Sequence, residues 1–340
     1  TALDNDAPTI NNVPTGLTIP GATPFQMTAN ATDNDGDALT YCWEQFDREL
    51  VIQPPSPNST GGPNFLSTPP GNNPTRYFPN LSAVIANNSP TWEVLSTVDR
   101  TFNFRVTVRD NATGGGCSVF EEAVINVDGD SGPFLVQNPN TNGVVWGVNA
   151  IETVSWDVAG TDNVPVNCAN VDILLSLDGG FTYPITLAAN TPNDGSADIT
   201  VPNSPSTIAR VKVVCSDNVF YDISNNNFAI VAPMITCSPD LAVTCSSNII
   251  PGVTNFQTAC PSGGNVTVTG PVVIGEPNCP NTTYTYTSIG TDACGGEEIC
   301  TQTFTIQNDE PTITCQPDMT VTCQAKILVG TANFNTSCQL

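Results

Sequence analysis

The chain contains no histidine among its 340 residues. That absence removes Ser-His-Asp and Cys-His nucleophilic catalysis, and with it most metal-hydrolase chemistry. The zinc-protease helix, which needs two histidines one turn apart and a glutamate base, cannot be written either. Basic residues are scarce: Lys and Arg together number 8 against 32 Asp and Glu, for a net charge of −24. No basic face is available for nucleic acid. The two lysines, Lys212 and Lys326, stand in no glycine-rich phosphate loop, so nucleotide binding has no support. Runs of Leu, Ala, Glu and Lys are missing, which excludes helices of any length. No stretch approaches the ~18 apolar residues of a membrane span. The chain begins with neither Met nor a secretory leader, so a secreted protein is expected to have lost its leader or to carry it upstream.

What is present points to strands. Hydrophobic residues are 39%, and 29 prolines and 26 glycines punctuate short β-branched runs. Arg100 to Asp110 alternates apolar and polar residues, a strand pattern. Thr153–Val158, Val171–Ser176 and Ala209–Val214 are further strands, and Ser176-Leu177-Asp178-Gly179-Gly180 is a hairpin turn. Gln53 to Asn88, rich in Pro, Asn, Gly and Ser, is too long for a hairpin and is expected to fold over a sandwich face. The fold class is all-β: tandem immunoglobulin-like or fibronectin-like sandwiches, disulfide-bonded, with negligible helix.

The 13 cysteines indicate an oxidising compartment and, without histidine or zinc-ribbon pairs, disulfides rather than zinc. Cys42 and Cys117 are expected to pair beside Trp43, and Cys168 with Cys215. Farther on, Ile235-Thr236-Cys237 through Cys245 returns as Ile313-Thr314-Cys315 through Cys323, and Cys260 returns as Cys338. All three cysteines shift by 78 residues, the mark of a domain array. Six cysteines in one repeat (237, 245, 260, 279, 294, 300) allow fifteen connectivities, and none is assigned. The expected segments are 1–130, 131–232, 233–310 and an incomplete second repeat, 311–340. That last segment is expected either to continue in a longer chain or to be completed head-to-tail by a strand from an identical subunit.

One loop carries candidate ligands. Asp33-Asn34-Asp35-Gly36-Asp37 sets three carboxylates at alternate positions around a glycine. Such a loop can turn several oxygens toward calcium at about 2.3–2.6 Å. Counted from Asp33 the twelfth residue is Glu44, but no helices flank the loop, so it is no EF-hand. The plainer reading is a solvated Asn/Asp/Gly turn. Together with the acidic linker Leu3–Pro8, the loop resembles cadherin-type repeats. That resemblance implies Asp4, Asp6 and Asp110 as further ligands, and calcium stiffening the first domain boundary. Other sites are weaker. Glu121-Glu122 and Glu297-Glu298 are adjacent acids, which point to opposite faces of a strand. Trp43, Trp146 and Trp156 could stack on a glycan but read as core.

Two further resemblances organise the chain. Thr23-Pro24-Phe25, Tyr41-Cys42-Trp43-Glu44-Gln45, Phe104 to Asn111, Trp156 to Thr161 and Pro192-Asn193-Asp194-Gly195 make residues 1–232 similar to known non-catalytic regions. These follow the protease domain in secreted reprolysin-like metallopeptidases of Bacteroidota-type bacteria. Thr291-Asp292-Ala293-Cys294-Gly295-Gly296 with Cys300 to Ile306 resembles hyalin-type immunoglobulin-like repeats of bacterial surface proteins. Together they imply a secreted, non-enzymatic stalk or adhesin segment at a bacterial cell surface. Its partners would be neighbouring domains, identical subunits, or a surface glycan or protein. The alternative they imply is an accessory region of an upstream zinc metallopeptidase.

Overall fold

The computed structural model describes residues 5–244, 249–277, 279–307, 312–314 and 333–335. Asp4, Cys245, Cys315, Cys323 and Cys338 lie outside them. The chain divides into two compact units, Thr1–Val231 and Ala232–Leu340. Both are immunoglobulin-like β structure. Among the described residues the helix is a single short one, Leu81–Ile85, capped by the Asn80 side chain.

The first unit holds two sandwiches. In the first, Leu17–Pro20, Ser118–Asp128, Arg100–Arg109 and Thr40–Gln45 form a sheet in that order. Leu17–Pro20 runs parallel to its neighbour and the other pairs are antiparallel. Phe102, Phe104, Val106 and Val108 alternate inward along Arg100–Arg109 and are buried. They meet Phe25 and Phe78 from the facing pair Phe25–Thr28 and Thr75–Phe78. The proline-rich excursion is part of this core. It delivers Phe65 into the aromatic cluster, 5.7 Å from Phe25 and 5.6 Å from Phe102 between ring centroids. It also contains Thr75–Phe78, a strand its composition conceals. Buried Arg100 straps the excursion down through Ser59 O, Gly62 O and Asn64 Oδ1.

The second sandwich faces Ser196–Thr200, Ile151–Asp157 and Leu135–Asn138 with a larger sheet. That sheet is ordered Val145–Gly147, Phe228–Val231, Ser206–Cys215, Asn170–Ser176, Ile185–Pro192. Asn170–Ser176 and Ile185–Pro192 are a hairpin, but the loop between them is longer than the Ser176–Gly180 turn. Asp178 organises that loop, accepting from Ser176 Oγ, Phe181 N, Thr182 N and Thr182 Oγ1. Burial works against its charge, but these donors hold its pKa down to about 2.

The two sandwiches interlock. Phe25 and Phe220 form a β-bridge, Gln26 N donates to Val219 O at 2.9 Å, and Tyr221 N to Pro24 O at 2.9 Å. Gly132 is required at the crossover: its φ is +90°, and a Cβ there would lie 2.3 Å from Gly21 O. The middle of the strand Ser206–Cys215, Ala209 to Val213, is buried on both faces. Val211 and Val213 enter the second core, while Lys212 points the other way and donates to Gln26 Oε1 at 2.6 Å.

Cys168 and Cys215 are bridged. Cys42 and Cys117 are not: both are free thiols, which corrects the expected pairing. Cys42 pairs with Thr107 and Thr107 with Phe120, so Cys42 sits two strands across from Cys117 and offset along the sheet. At roughly 5 Å per strand, the gap exceeds the ~7 Å Cα limit for a disulfide.

In the second unit, Met234–Cys237 pairs with Val253–Gln257. The facing sheet runs Leu241–Val243, Glu297–Ile306, Thr283–Asp292, Gly264–Ile274. Cys237–Cys300 ties the two layers, and Cys260–Cys294 closes the opposite corner. The repeat is visible in backbone register. Ile235 pairs with Phe256, and Ile313 pairs with Phe334 in the strands Thr312–Thr314 and Asn333–Asn335.

Candidate metal centre

Three separate segments meet at the end of the first sandwich where the chain enters. The loop after Asn30–Thr32 supplies Asp33, Asp35 and Asp37. Asp33 Oδ1 accepts from Asp35 N at 2.9 Å and Asp37 N at 3.1 Å, which curls the loop. Gly36 completes the curl at φ +78°, where a side chain would be strained. The curl brings one oxygen from each of the three carboxylates within 4.8 Å of the others. Asp33 Oδ2 is buried there and has no hydrogen-bond partner.

The entering strand and a hairpin close the site. Asp6 N donates to Asp35 Oδ2 at 2.7 Å, while the Asp6 side chain is exposed. Asp110 is 1% exposed. It accepts from Cys117 N at 2.8 Å, Ala112 N at 3.3 Å and Asn5 Nδ2 at 2.9 Å. The Asn5 bond is the main cause of its lowered pKa. With those bonds made, Asp110 fastens the entering segment rather than presenting free oxygens. Its negative charge still reaches Asp37. Partial desolvation raises the Asp37 pKa first, followed by repulsion from Asp33, Asp110 and Asp35.

A buried orphan carboxylate oxygen beside two more carboxylates fits a hard cation. Of the six residues singled out in the sequence, Asp33, Asp35 and Asp37 converge, Asp6 contributes its backbone, Asp110 braces, and Asp4 lies outside the described residues. Asn5 had no signal in the sequence. The cluster sits at the Arg109–Ser118 end of the long hairpin, whereas the junction with the second sandwich lies past Arg100 and Val127 at the other end. Ten residues of strand separate them, roughly 30 Å.

A second polar centre had no sequence signal either. Lys212 is 3% exposed at the junction between the sandwiches. Its ammonium lies 4.1 Å from the Tyr221 ring centroid, 5.3 Å from Tyr77 and 5.5 Å from Tyr183. Burial pulls its pKa down to about 7. Asp222, next in sequence to one of these rings, accepts from Val136 N at 2.7 Å, and burial pushes its pKa up to about 7. The remaining candidates resolve simply. Trp43, Trp146 and Trp156 are each 2% exposed and belong to cores. Glu121, Glu122, Glu297 and Glu298 are exposed. Among the described residues no helix is long and apolar enough to cross a membrane.

No protein-family model and no curated relative matches the chain. Solved structures do match. Sidekick-1 immunoglobulin domains 1–5 is 13% identical with a TM-score of 0.20, and the match covers 93% of this chain. This chain spans 62% of that structure's length. The Bacteroides ovatus mixed-linkage glucan utilization locus protein SGBP-B, in complex with a heptasaccharide, is 13% identical with a TM-score of 0.20, covering 91% of this chain and 72% of its own. Drosophila N-cadherin EC1-4 is 12% identical with a TM-score of 0.23, covering 89% and 76%. All three superpose loosely, so the immunoglobulin-like architecture rests on the strand order described above.

Proposed function

We propose that the chain is a secreted, non-enzymatic structural protein, a segment of an extracellular stalk at a bacterial surface. Its domains act as spacers, and a calcium ion held by Asp33, Asp35 and Asp37 stiffens the point where the chain enters the first sandwich. The observation that carries this reading is the buried, unpartnered Asp33 Oδ2 among three converging carboxylates. Without a cation the cluster repels itself. With one, the curl of the loop is neutralised, and Asp35 holds the backbone of Asp6 against the sandwich. The missing histidine and the burial of Trp43, Trp146 and Trp156 support a role without catalysis.

Calorimetric titration of the chelated protein with calcium tests this. Heat of binding is expected, and it is expected to vanish in Asp33→Asn together with Asp35→Asn. Cleavage by a protease near residues 5–12 should rise in chelator. Absence of heat, with unchanged proteolysis, would sink the cation reading. Because desolvation and repulsion raise the Asp37 pKa, protons compete with the cation there sooner on acidification than at an ordinary carboxylate. Affinity is therefore expected to fall as pH drops through the carboxylate range. The second reading, an accessory region of a secreted zinc metallopeptidase, is supported by the sequence motifs of residues 1–232. A histidine-bearing zinc helix encoded upstream in the same gene would select it.

A further inference from the structure

The strand Gly264–Ile274 is the outer strand of the second unit's larger sheet. It pairs with Thr283–Asp292 along one side, and among the described residues nothing pairs with its other side. All eleven of its residues are exposed. Val266, Val268 and Val273 stand opposite Gly290, Ser288 and Tyr284, which are themselves buried. These valines point to the core side of the sheet, yet they are 36%, 42% and 40% exposed. The facing two-stranded layer is too narrow to roof them. It reaches this edge through Phe256, whose ring lies where a side chain on Gly264, or on Gly290 of the neighbouring strand, would stand.

Natural sheets protect open edges with charge, proline or covering segments. Here residues 264–274 carry no charge in a chain of net −24. The one guard is Pro271 with its bulge, where the register shifts between Thr269 and Val272. That leaves Gly264–Thr269 as a bare ladder with an apolar row beneath it.

We propose that this ladder is a homophilic docking edge, occupied by the same strand of a second copy of this chain running antiparallel. Two features select a second copy. First, Val266-Thr267-Val268 reads the same in both directions. A two-fold axis at Thr267 sets Val266 opposite the partner's Val268 and Thr267 opposite the partner's Thr267. β-branched and Thr–Thr pairs of this kind stabilise antiparallel sheets, and the two-fold, self-complementary interface is the commonest form in homo-oligomers. Second, two chains of net −24 repel over most of their surfaces, and this uncharged edge is a place where they can approach. The result joins two stalks side by side through one continuous sheet. It does not depend on the cation centre.

Sedimentation equilibrium of the 340-residue chain, from low micromolar to several hundred micromolar, tests this. A reversible dimer is expected, unchanged by chelator, and weakened about tenfold or more by the edge charge in Val268→Lys. In Thr267→Cys the paired Cα atoms would lie about 4.5–5.5 Å apart, within disulfide range. Mild oxidation should therefore yield a covalent dimer well above the level from the wild-type chain, whose exposed Cys279 serves as the control. Monomer at every concentration overturns the proposal. So does a dimer indifferent to Val268→Lys with no Thr267→Cys cross-link.

Discussion

The two units hold the same kind of sandwich together by different means. The first sandwich of the first unit is packed with aromatic rings: Phe25, Phe65, Phe78, Phe102 and Phe104 are all buried within about one ring of each other. It contains no disulfide, and its two cysteines are free thiols. The second unit is the reverse. Its core cluster among the described residues is Tyr284, Phe304 and Ile306, edged by Val243, Ile249 and Tyr286. Among the described residues two disulfides brace the unit. Burying a large side chain contributes roughly 1.5–3 kcal/mol, and a disulfide contributes about 2–4 kcal/mol by constraining the unfolded chain. The comparison shows cross-links substituting for rings where the strands are too polar to build a large core.

Reduction gives the largest expected break in that comparison. All four tryptophans lie in the first unit, so tryptophan fluorescence reports on it alone. Calorimetry in strong reductant should remove or sharply lower the second unit's transition, since it loses about 2–4 kcal/mol per bridge. The fluorescence transition should shift much less, because the first unit has one bridge, Cys168–Cys215, beside its aromatic cores. Equal shifts in both would show that the second unit's core carries more than its burial suggests.

Much of this is legible in the sequence, for identifiable reasons. Arg100–Arg109 alternates because one face is buried, and periodicity reports burial directly. The 78-residue period reports the array. The Asp33–Asp37 loop is legible because local spacing brings its carboxylates together. What escapes is non-local. That Cys42 and Cys117 are the two cysteines of residues 1–130 suggests a bridge, but strand order, which that count does not encode, keeps them apart. Thr75–Phe78 is hidden because a Pro/Asn/Gly-rich excursion masks a four-residue strand. Asn5 and Lys212 act through partners 105 and 186 residues away.

The junction of the two sandwiches yields a smaller, pH-dependent effect. Lys212 has a folded pKa of about 7 against 10.5 ordinarily, so between those values the unfolded chain binds more protons and stability rises with pH. Asp222 has a folded pKa of about 7 against 3.8, so the folded chain binds more protons between them and stability falls as pH rises. Together these two groups place a stability minimum near neutrality. Urea unfolding followed by tryptophan fluorescence over a pH series should show it. Lys212→Met should flatten the alkaline limb and leave the unit unchanged or up to about 2 kcal/mol more stable at neutral pH. Asp222→Asn should flatten the acidic limb. Lys212→Met without effect on either limb would mean that Gln26 and the three tyrosine rings compensate the buried charge fully.

The smallest effect is chemical rather than energetic, and it separates the units by their thiols. Cys279, in the second unit, is exposed and should react with iodoacetamide in the native protein. Cys42 is buried. Desolvation raises its pKa first, Glu44 adds to that, and Arg109 and Arg76 oppose it. Because the thiolate is the nucleophile, Cys42 should stay unmodified until the first unit unfolds. Cys117 is half-buried, with Asn5 Nδ2 3.6 Å from its sulfur. Its labelling should depend on how firmly the entering segment is held. Calcium, by fixing Asp6 through Asp35, should slow alkylation of Cys117 and leave Cys279 unchanged. Peptide mass mapping after timed labelling reads all three sites at once. Equal protection of Cys117 with and without calcium would uncouple the carboxylate cluster from the entering strand.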